Sequence, residues 1–265
     1  MLIVLSVNLS FGQAIQENPK DLQNIDVVEH LGDTIPLDLH FTDDNGRPVV
    51  LSQYFHQGKP VVLILGYYSC PMLCNLVMNG VSDVMQKIDW LPGKEFQIVS
   101  VSIDPTETDV LAKAKKANYL KAIGKPGIEN GWMYLTGPED QSKALAEAVG
   151  FKYYYVPERK EYAHPAVLII LTEDGVISRY LYGIEYKEFD MRMALLEASE
   201  GKVGGTLDRI ILYCYHYDPE SGSYTVFAGN VMKIGGALTL IIMAALLSWL
   251  WLKEYRKRNI KLIAN

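Results

Sequence analysis

The sequence predicts an α/β sandwich with a mixed central sheet, followed by a single membrane-spanning helix near its C-terminus. Between Val61 and Ala198, short apolar runs alternate with amphipathic segments of helical spacing, as in strands joined by crossover helices. Turn sequences at residues 43–46 and 173–175 predict a hairpin at each end of this region. The run from Ile234 to Leu252 contains nineteen residues without a charge, which is close to the length that crosses a bilayer.

Local patterns predict the elements in order. Alternation predicts a strand at residues 37–41, and the Asp-Asn-Gly turn after it returns the chain at 49–51. Short apolar runs predict the strands at 61–65, 96–103, 132–135, 153–156, 166–172 and 176–182. The spacing of apolar residues predicts a helix ending near Ile88 and further helices at 110–123, 141–149 and 188–198. Thr106 or Thr108 can cap the second helix, and Gly150 ends the third.

The net charge of −6 hides a division along the chain. Residues 253–265 carry five basic side chains against Glu254, a net charge of +4, so the remainder carries −10. This balance argues against nucleic acid as a partner. A basic segment after an apolar run, with Trp249 and Trp251 near the junction, is instead typical of the cytoplasmic end of a membrane helix. A buried core helix is the alternative, and the length and flanking charge disfavour it.

The predicted organisation has five parts. Residues 1–14 resemble a secretory signal peptide, with a short buried strand as the alternative. Residues 15–200 form the α/β domain, 201–230 a linker and juxtamembrane segment, 231–252 the transmembrane helix, and 253–265 a basic cytoplasmic tail. This arrangement predicts a single-pass protein of the cell membrane whose domain lies on the periplasmic side. In that oxidising compartment a dithiol must be kept reduced or bound to metal in order to act.

Two of the three cysteines directly follow the strand at 61–65, with three residues between them. Pro71 suits the first turn of a helix, because the N–H groups of that turn have no acceptor within the helix and proline lacks only this group. We therefore predict Cys70 at a helix N-terminus and Cys74 one turn later on the same face. The helix dipole would favour the Cys70 thiolate. Such a pair can form a disulfide or bind a thiophilic metal, and the alternative is two buried, inert thiols.

His164 lies in a loop just before the strand predicted at 166–172. A single histidine so far from a cysteine pair is by itself weak evidence for a ligand. It becomes a third ligand if the fold brings this loop beside the cysteine helix. Two thiolates and one imidazole suit Cu(I), and Cu(II) also accepts imidazole.

The run from Gly58 to Cys74, a strand followed by tyrosine and Cys-Pro-x-x-Cys, resembles the Sco/SenC family of copper chaperones. Residues 101–105, 135–137 and 163–175 are similar to later segments of that family in the same order, so the resemblance covers about Gln23 to Tyr186. It implies a thioredoxin-like fold and copper bound by Cys70, Cys74 and His164. It also implies a role in assembling the dinuclear copper centre of cytochrome c oxidase.

The sequence departs from this family at three points. Ala163 and Pro165 stand where the family usually has an acidic residue before the histidine and a hydroxyl residue after it, which changes the hydrogen-bonding groups beside the ligand. The predicted anchor is C-terminal, whereas many relatives have an N-terminal one. The resemblance to the family therefore supports the metal site more strongly than it supports the role in oxidase assembly.

The resulting hypothesis is a membrane-anchored metallochaperone that delivers copper to the copper-bearing subunit of cytochrome c oxidase or to another copper protein. The alternative is a thiol–disulfide oxidoreductase that keeps the partner's ligand cysteines reduced, with Cys70 attacking and Cys74 resolving the mixed disulfide. A peroxidase of the same broad class is disfavoured, since no arginine stands beside the cysteine motif.

Three further residues are secondary candidates. Asp104 can accept hydrogen bonds beside the site, although a turn role before Pro105 is equally consistent with its sequence. Cys214 and His216 alternate on an extended stretch, so both would face the same side and could form a transient second copper site. An unpaired thiol beside an aromatic docking strand is the favoured alternative for this pair.

Overall fold

The computed structural model describes residues 25–70, 72–200, 211–212, 215–218 and 222–263. The strands are β1 His40–Asp43, β2 Pro48–Val50, β3 Val61–Gly66, β4 Gln97–Ser102, β5 Trp132–Thr136, β6 Tyr154–Val156, β7 Glu161–Ala163, β8 Val167–Leu171, β9 Ile177–Tyr182, β10 Tyr215–Asp218 and β11 Ser223–Val226. The helices are α1 Leu73–Lys87, α2 Asp109–Ile123, α3 Glu139–Ala148, α4 Glu188–Ala198 and α5 Ala228–Ile263, and a 3-10 turn spans Leu51–Tyr54.

The central sheet has seven strands in the order β2-β1-β5-β4-β3-β8-β9. Strands β3, β4 and β5 are parallel neighbours, because α1 and α2 carry the chain back across the sheet between them. The β1–β2 hairpin and the β8–β9 hairpin add antiparallel strands on either side. The mixed α/β sheet predicted from the sequence is therefore confirmed.

Side chains of β3 point alternately into two apolar layers. Val62 and Ile64 pack in a cluster with α1, α2 and α4. Val61 and Leu63 pack on the other face, in a cluster that includes Leu145 of α3. Because both faces of the strand are covered, its sequence is continuously apolar rather than alternating. This burial makes β3 a fixed support for the cysteine loop that follows it.

The start of α1 differs from the sequence prediction. The helix begins at Leu73 with Met72 as its N-cap, so the prediction that Cys70 stands at the helix N-terminus is wrong, while Cys74 does lie in the first turn. Cys70 belongs to the preceding turn, in which its N–H donates to the carbonyl of Tyr67 at 3.4 Å. Pro71, on which that prediction relied, lies outside the described residues. Thr108 is confirmed as the cap of α2, since its side chain accepts from the N–H of Leu111.

Strands β10 and β11 form a separate hairpin just before α5. Its Tyr217 hydroxyl donates to the carbonyl of Tyr180 in β9 at 3.0 Å. The N–H of Tyr224 donates to Asp190 of α4, also at 3.0 Å. These contacts fasten the hairpin to the α/β domain. The sequence predicted the extended stretch around His216, but not its pairing with β11 or its contacts with the domain.

Helix α5 contains a segment, Gly229–Lys253, that is long and apolar enough to cross a membrane by length and composition. It includes the predicted span 231–252, and the helix continues to Ile263 through the basic residues. The predicted signal peptide and the first part of the linker, residues 201–210, lie outside the described residues. The proposed division of the chain into five parts therefore stays a prediction.

Candidate metal centre

The register of β3 against β8 explains how distant parts of the chain meet. The strands are antiparallel, with Val61 opposite Leu171 and Leu63 opposite Ile169. Continued to the end of β3, the same register brings the residues after Gly66 beside those that precede β8. The cysteine loop follows the first strand and His164 precedes the second, so both lie at one end of the sheet.

The three predicted ligands meet at this end. The Sγ of Cys74 lies 2.7 Å from Nε2 of His164, and the ligand atoms of Cys70, Cys74 and His164 all lie within 4.8 Å of one another. All three residues are buried, with 5%, 5% and 3% of their surface exposed. Both cysteines are free thiols. This group has the composition and the spacing of a three-coordinate site for a soft metal ion.

The ring of His164 is held with Nε2 towards the sulfurs. Its Nδ1 lies 2.9 Å from the carbonyl oxygen of Pro165, and a carbonyl only accepts, so Nδ1 carries the proton and donates it. Histidine ligands of metals are commonly oriented by such a hydrogen bond. Phe151 stacks on the imidazole at 5.8 Å between ring centroids, and Tyr67 meets it edge-on at 6.1 Å. The backbone carbonyl thus supplies an acceptor beside the histidine despite the departures at 163 and 165.

The two thiols differ in acidity. The hydrogen bond from the Cys74 side chain and those from the backbone N–H groups of Cys74 and Met72 lower the pKa of Cys70, although burial acts the other way. Burial, followed by the hydrogen bond with Cys70, raises the pKa of Cys74. The N–H of Cys74 lies 3.3 Å from the Cys70 sulfur, so a first-turn donor of α1 stabilises the thiolate from outside the helix.

Gly66 lets the helix approach the end of β3. A Cβ at this position would lie 3.3 Å from the Sγ and 3.6 Å from the Cβ of Cys74. The N–H of Tyr67 also points towards that sulfur, at 3.5 Å. Glycine at the end of the strand therefore leaves the space that Cys74 occupies.

Glu107 fixes the loop that carries Cys70. Its carboxylate accepts from the backbone N–H groups of Tyr68 at 2.8 Å and Ser69 at 2.6 Å, and from the hydroxyl of Ser102 at 2.6 Å. On the helix side, the amide of Asn75 donates to the carbonyl of Cys70 at 2.8 Å. The loop is thus held by polar contacts on both sides of the first cysteine.

Asp104, the predicted acceptor beside the site, forms the turn after β4. Its carboxylate accepts from the N–H of Thr106 at 2.9 Å and from the hydroxyl of the same residue at 2.7 Å. These are the contacts of the turn role, and the carboxylate that reaches the cysteine loop is that of Glu107.

Sequence reasoning missed Glu107 and Phe151 because their partners are distant in the chain. Glu107 accepts from backbone N–H groups 38 and 39 residues away. Almost every residue has such a group, so residue types do not reveal which one is the donor. Phe151 follows Gly150 and resembles an ordinary core residue. Strand β7, which leads directly into His164, was also missed, since its pairing with β6 depends on the turn between them.

The proposed second site is only partly covered by the structure. His216 lies in β10, opposite Thr225 of β11, and Cys214 lies outside the described residues. Of the other histidines, His30 contacts the carbonyl of Ala148 and His56 pairs with Asp174 on the surface. Within the described part of the chain, the group of Cys70, Cys74 and His164 is the candidate metal cluster.

The fold is thioredoxin-like, and at the end of its central sheet lies a Cys–Cys–His group that could hold a metal ion. The profile of the SCO1/SenC family matches residues 30–195. The chain therefore belongs to the SCO1/SenC family. None of the curated proteins compared with the chain matches it.

Solved structures support the same fold. The chain is similar to a protein described as a putative electron transfer protein from Aquifex aeolicus VF5, at 27% identity and a TM-score of 0.55, covering 63% of this chain and 94% of that one. A second structure from this organism gives 27% identity and a TM-score of 0.52, covering 63% and 98%. BsSco, described as a member of the Sco family of cytochrome c oxidase assembly proteins, shares 19% identity with a TM-score of 0.50 and coverage of 65% and 98%.

Proposed function

We propose that this protein is a membrane-anchored copper chaperone that holds copper between Cys70, Cys74 and His164 and passes it to a copper protein during assembly of cytochrome c oxidase. The observation that carries the proposal is the 2.7 Å approach of His164 Nε2 to the sulfur of Cys74, with Cys70 in the same cluster. The fixed tautomer leaves Nε2 available to a metal. Two sulfurs and one imidazole nitrogen favour copper over hard cations, which prefer oxygen ligands.

The chemistry of the ligands predicts how copper is loaded. Cys70 ionises readily, whereas Cys74 keeps its proton until a cation replaces it. Loading therefore consists of Cu(I) uptake with loss of the Cys74 proton, and release is the reverse exchange towards the partner's ligands. No electron is transferred in either direction. Membership of the Sco family, one member of which is described as an oxidase assembly protein, supports the choice of recipient.

The proposed orientation places the α/β domain outside the cytoplasm. The candidate span ends at Lys253 and is followed by further basic residues up to Lys261, and such clusters remain on the cytoplasmic side. Lys253 also lies over the ring of Trp249, at 5.1 Å, which suits the interface between lipid and water. Proteolysis of intact spheroplasts would remove the domain if this orientation is right, and would spare it if the orientation is reversed.

The test of copper binding uses the full chain in detergent micelles, reduced and loaded with Cu(I). We expect one copper per chain, and X-ray absorption should report two sulfur ligands and one nitrogen ligand. His164→Ala should remove the nitrogen and weaken copper binding by at least about tenfold, as expected for a lost ligand. His30→Ala is the matched control, because that imidazole contacts the carbonyl of Ala148 and does not belong to the group of candidate ligands. Unchanged affinity in His164→Ala would refute the assigned ligand set.

A thiol–disulfide reductase is the second candidate, and the lowered pKa of Cys70 favours it. The Cys70 thiolate would attack a disulfide of the partner, and Cys74 would then displace the partner's second thiol. Two electrons pass to the partner, leaving a Cys70–Cys74 disulfide. Reduction of a partner disulfide that survives in His164→Ala, together with loss of copper binding, would assign the reductase role to the dithiol alone.

A further inference from the structure

Burial of all three ligands poses a problem for copper transfer. Cys70, Cys74 and His164 are each at most 5% exposed, so an acceptor cannot reach the metal without a movement of the loop or an intermediate ligand at the surface. The cavity that contacts Cys74 and His164 is lined mainly by core side chains, among them Met78. Met78 is itself 4% exposed, so it faces the interior rather than the route outwards.

Met72 is the soft side chain on the outer side of this site. It stands between the two cysteines in sequence, and 70% of its surface is exposed. Its backbone is fixed beside the site, because Met72 is the N-cap residue of α1 and its carbonyl accepts from the N–H of Leu76 at 3.1 Å. The side chain is unconstrained by burial, and three rotatable bonds let its thioether swing over the mouth of the site.

We propose that Met72 is a transient copper ligand through which Cu(I) leaves and enters the buried site. In the exchange, the metal's bond to one cysteine sulfur breaks as a bond to the Met72 sulfur forms. The released thiolate takes a proton from solvent, and copper stays Cu(I) throughout. Thioethers bind Cu(I) but carry no charge, so Met72 competes poorly with two thiolates at equilibrium and still offers an accessible intermediate. This inference rests on the proposed copper-binding function.

The test compares the full chain in detergent micelles, loaded with Cu(I), with its Met72→Leu and Met78→Leu variants. Stopped-flow absorbance follows transfer of copper to the small chelator bathocuproine disulfonate, and equilibrium titration with the same chelator gives the affinity. In Met72→Leu we expect the transfer rate constant to fall about tenfold, a rise of about 1.4 kcal/mol in the barrier. We expect its copper affinity to match that of the unaltered chain. Added N-acetylmethionine should restore part of the rate.

Two control variants test whether a fall in the transfer rate is due to the Met72 thioether or to a general change near the site. Met78→Leu removes a thioether from the inner wall of the same cavity and should transfer copper at the unaltered rate. Leu76→Ala removes an exposed apolar side chain one helical turn from Met72 and should also leave the rate unchanged, because a small chelator needs no docking surface. An unchanged rate in Met72→Leu, or an equal fall in either control, would overturn the role of Met72. A proportional loss of affinity would overturn it as well, by making Met72 a resident ligand.

The same measurements distinguish failure of this inference from failure of the proposed function. If the unaltered chain takes up no Cu(I), the copper-chaperone proposal falls and the role of Met72 with it. If it binds one Cu(I) and Met72→Leu releases copper at the same rate, the metal site stands and only the exit ligand is wrong.

Discussion

One glutamate helps to hold the cysteine loop and another helps to hold the β10–β11 hairpin, but the two carboxylates accept hydrogen bonds from different kinds of donor. Glu107 accepts from backbone N–H groups on both residues before Cys70. Glu197 binds side chains, those of Arg179 and Tyr224. A carboxylate that accepts from backbone N–H groups determines the backbone conformation of the loop. A carboxylate that accepts from side chains instead links two elements whose backbone conformations do not depend on it.

The difference distinguishes the candidate metal site from the hairpin that precedes α5, the candidate membrane helix. The hairpin contacts β9 and α4, whereas the metal centre depends on the ends of β3 and β8. Arg179 also lies over the ring of Tyr217, at 4.7 Å, so the hairpin has several independent contacts with the domain. We therefore expect substitutions of Glu107 to lower copper affinity and substitutions of Glu197 to leave copper affinity unchanged.

Glu107→Ala should have the largest effect. It leaves two part-buried donors, the N–H of Tyr68 and the hydroxyl of Ser102, and the exposed N–H of Ser69 without their charged acceptor. We expect the free energy of unfolding to fall by about 3 kcal/mol. Copper affinity should fall about tenfold or more, as for other groups that orient metal ligands. Urea unfolding and chelator titration of the full chain in micelles measure the two effects.

Glu129→Ala is the control for this variant, since it removes an exposed carboxylate and should change neither quantity. If Glu107→Ala lost stability but kept its copper affinity, the loop would not be what positions Cys70, and the contrast between the two glutamates would disappear.

Changes of pH should act on the Cys70 thiol and on the hairpin with opposite signs, while the raised pKa of Cys74 adds to the loss of stability on the alkaline side. The pKa of Cys70 is lowered in the fold, mainly by its hydrogen bond with Cys74, so its contribution to stability is present above the unfolded pKa and is lost as pH falls through the folded value. Burial, followed by the charge of Glu197, raises the pKa of Tyr224. The hairpin should therefore lose stability as pH rises above the ordinary tyrosine value of about 10.

Unfolding of the metal-free, reduced chain at a series of pH values tests both signs. Cys70→Ser should remove the loss on the acid side, and Tyr224→Phe the part of the alkaline loss that belongs to the hairpin. An acid-side loss of the same size in Cys70→Ser would show that other groups produce it.

Glu197→Ala should lower the free energy of unfolding by about 1 kcal/mol, since its contacts are partly exposed and screened by solvent. The hairpin backbone should exchange its amide hydrogens faster, while copper affinity stays unchanged. Hydrogen exchange monitored by mass spectrometry would locate the effect. Faster exchange in the cysteine loop would contradict the separation of the two regions.

Gly66→Ala should have the smallest effect. The added methyl would lie 3.3 Å from the sulfur of Cys74, so the ligand must shift by a few tenths of an ångström, and copper affinity should fall by less than about tenfold. Gly236→Ala, where a Cβ meets nothing within 4 Å, is the control. An unchanged affinity in Gly66→Ala would mean that Cys74 tolerates this displacement.

The sequence by itself determined the elements and the identity of the candidate ligands. Apolar runs and helical spacing are local signals, so β3, β4, β8 and the four helices of the domain were predicted to within a few residues. Cys70, Cys74 and His164 were singled out by residue type, spacing and resemblance to a family. These features need no knowledge of which segments touch.

Only the tertiary structure decided how the ligands meet and what holds them. The antiparallel register of β3 and β8 places His164 against a sulfur 90 residues away in the chain. The acceptor for its Nδ1 is a backbone carbonyl, and the partners of Glu107 are backbone N–H groups. Every non-proline residue carries such groups, so their use at one position is invisible in the sequence and appears only when the chain is folded.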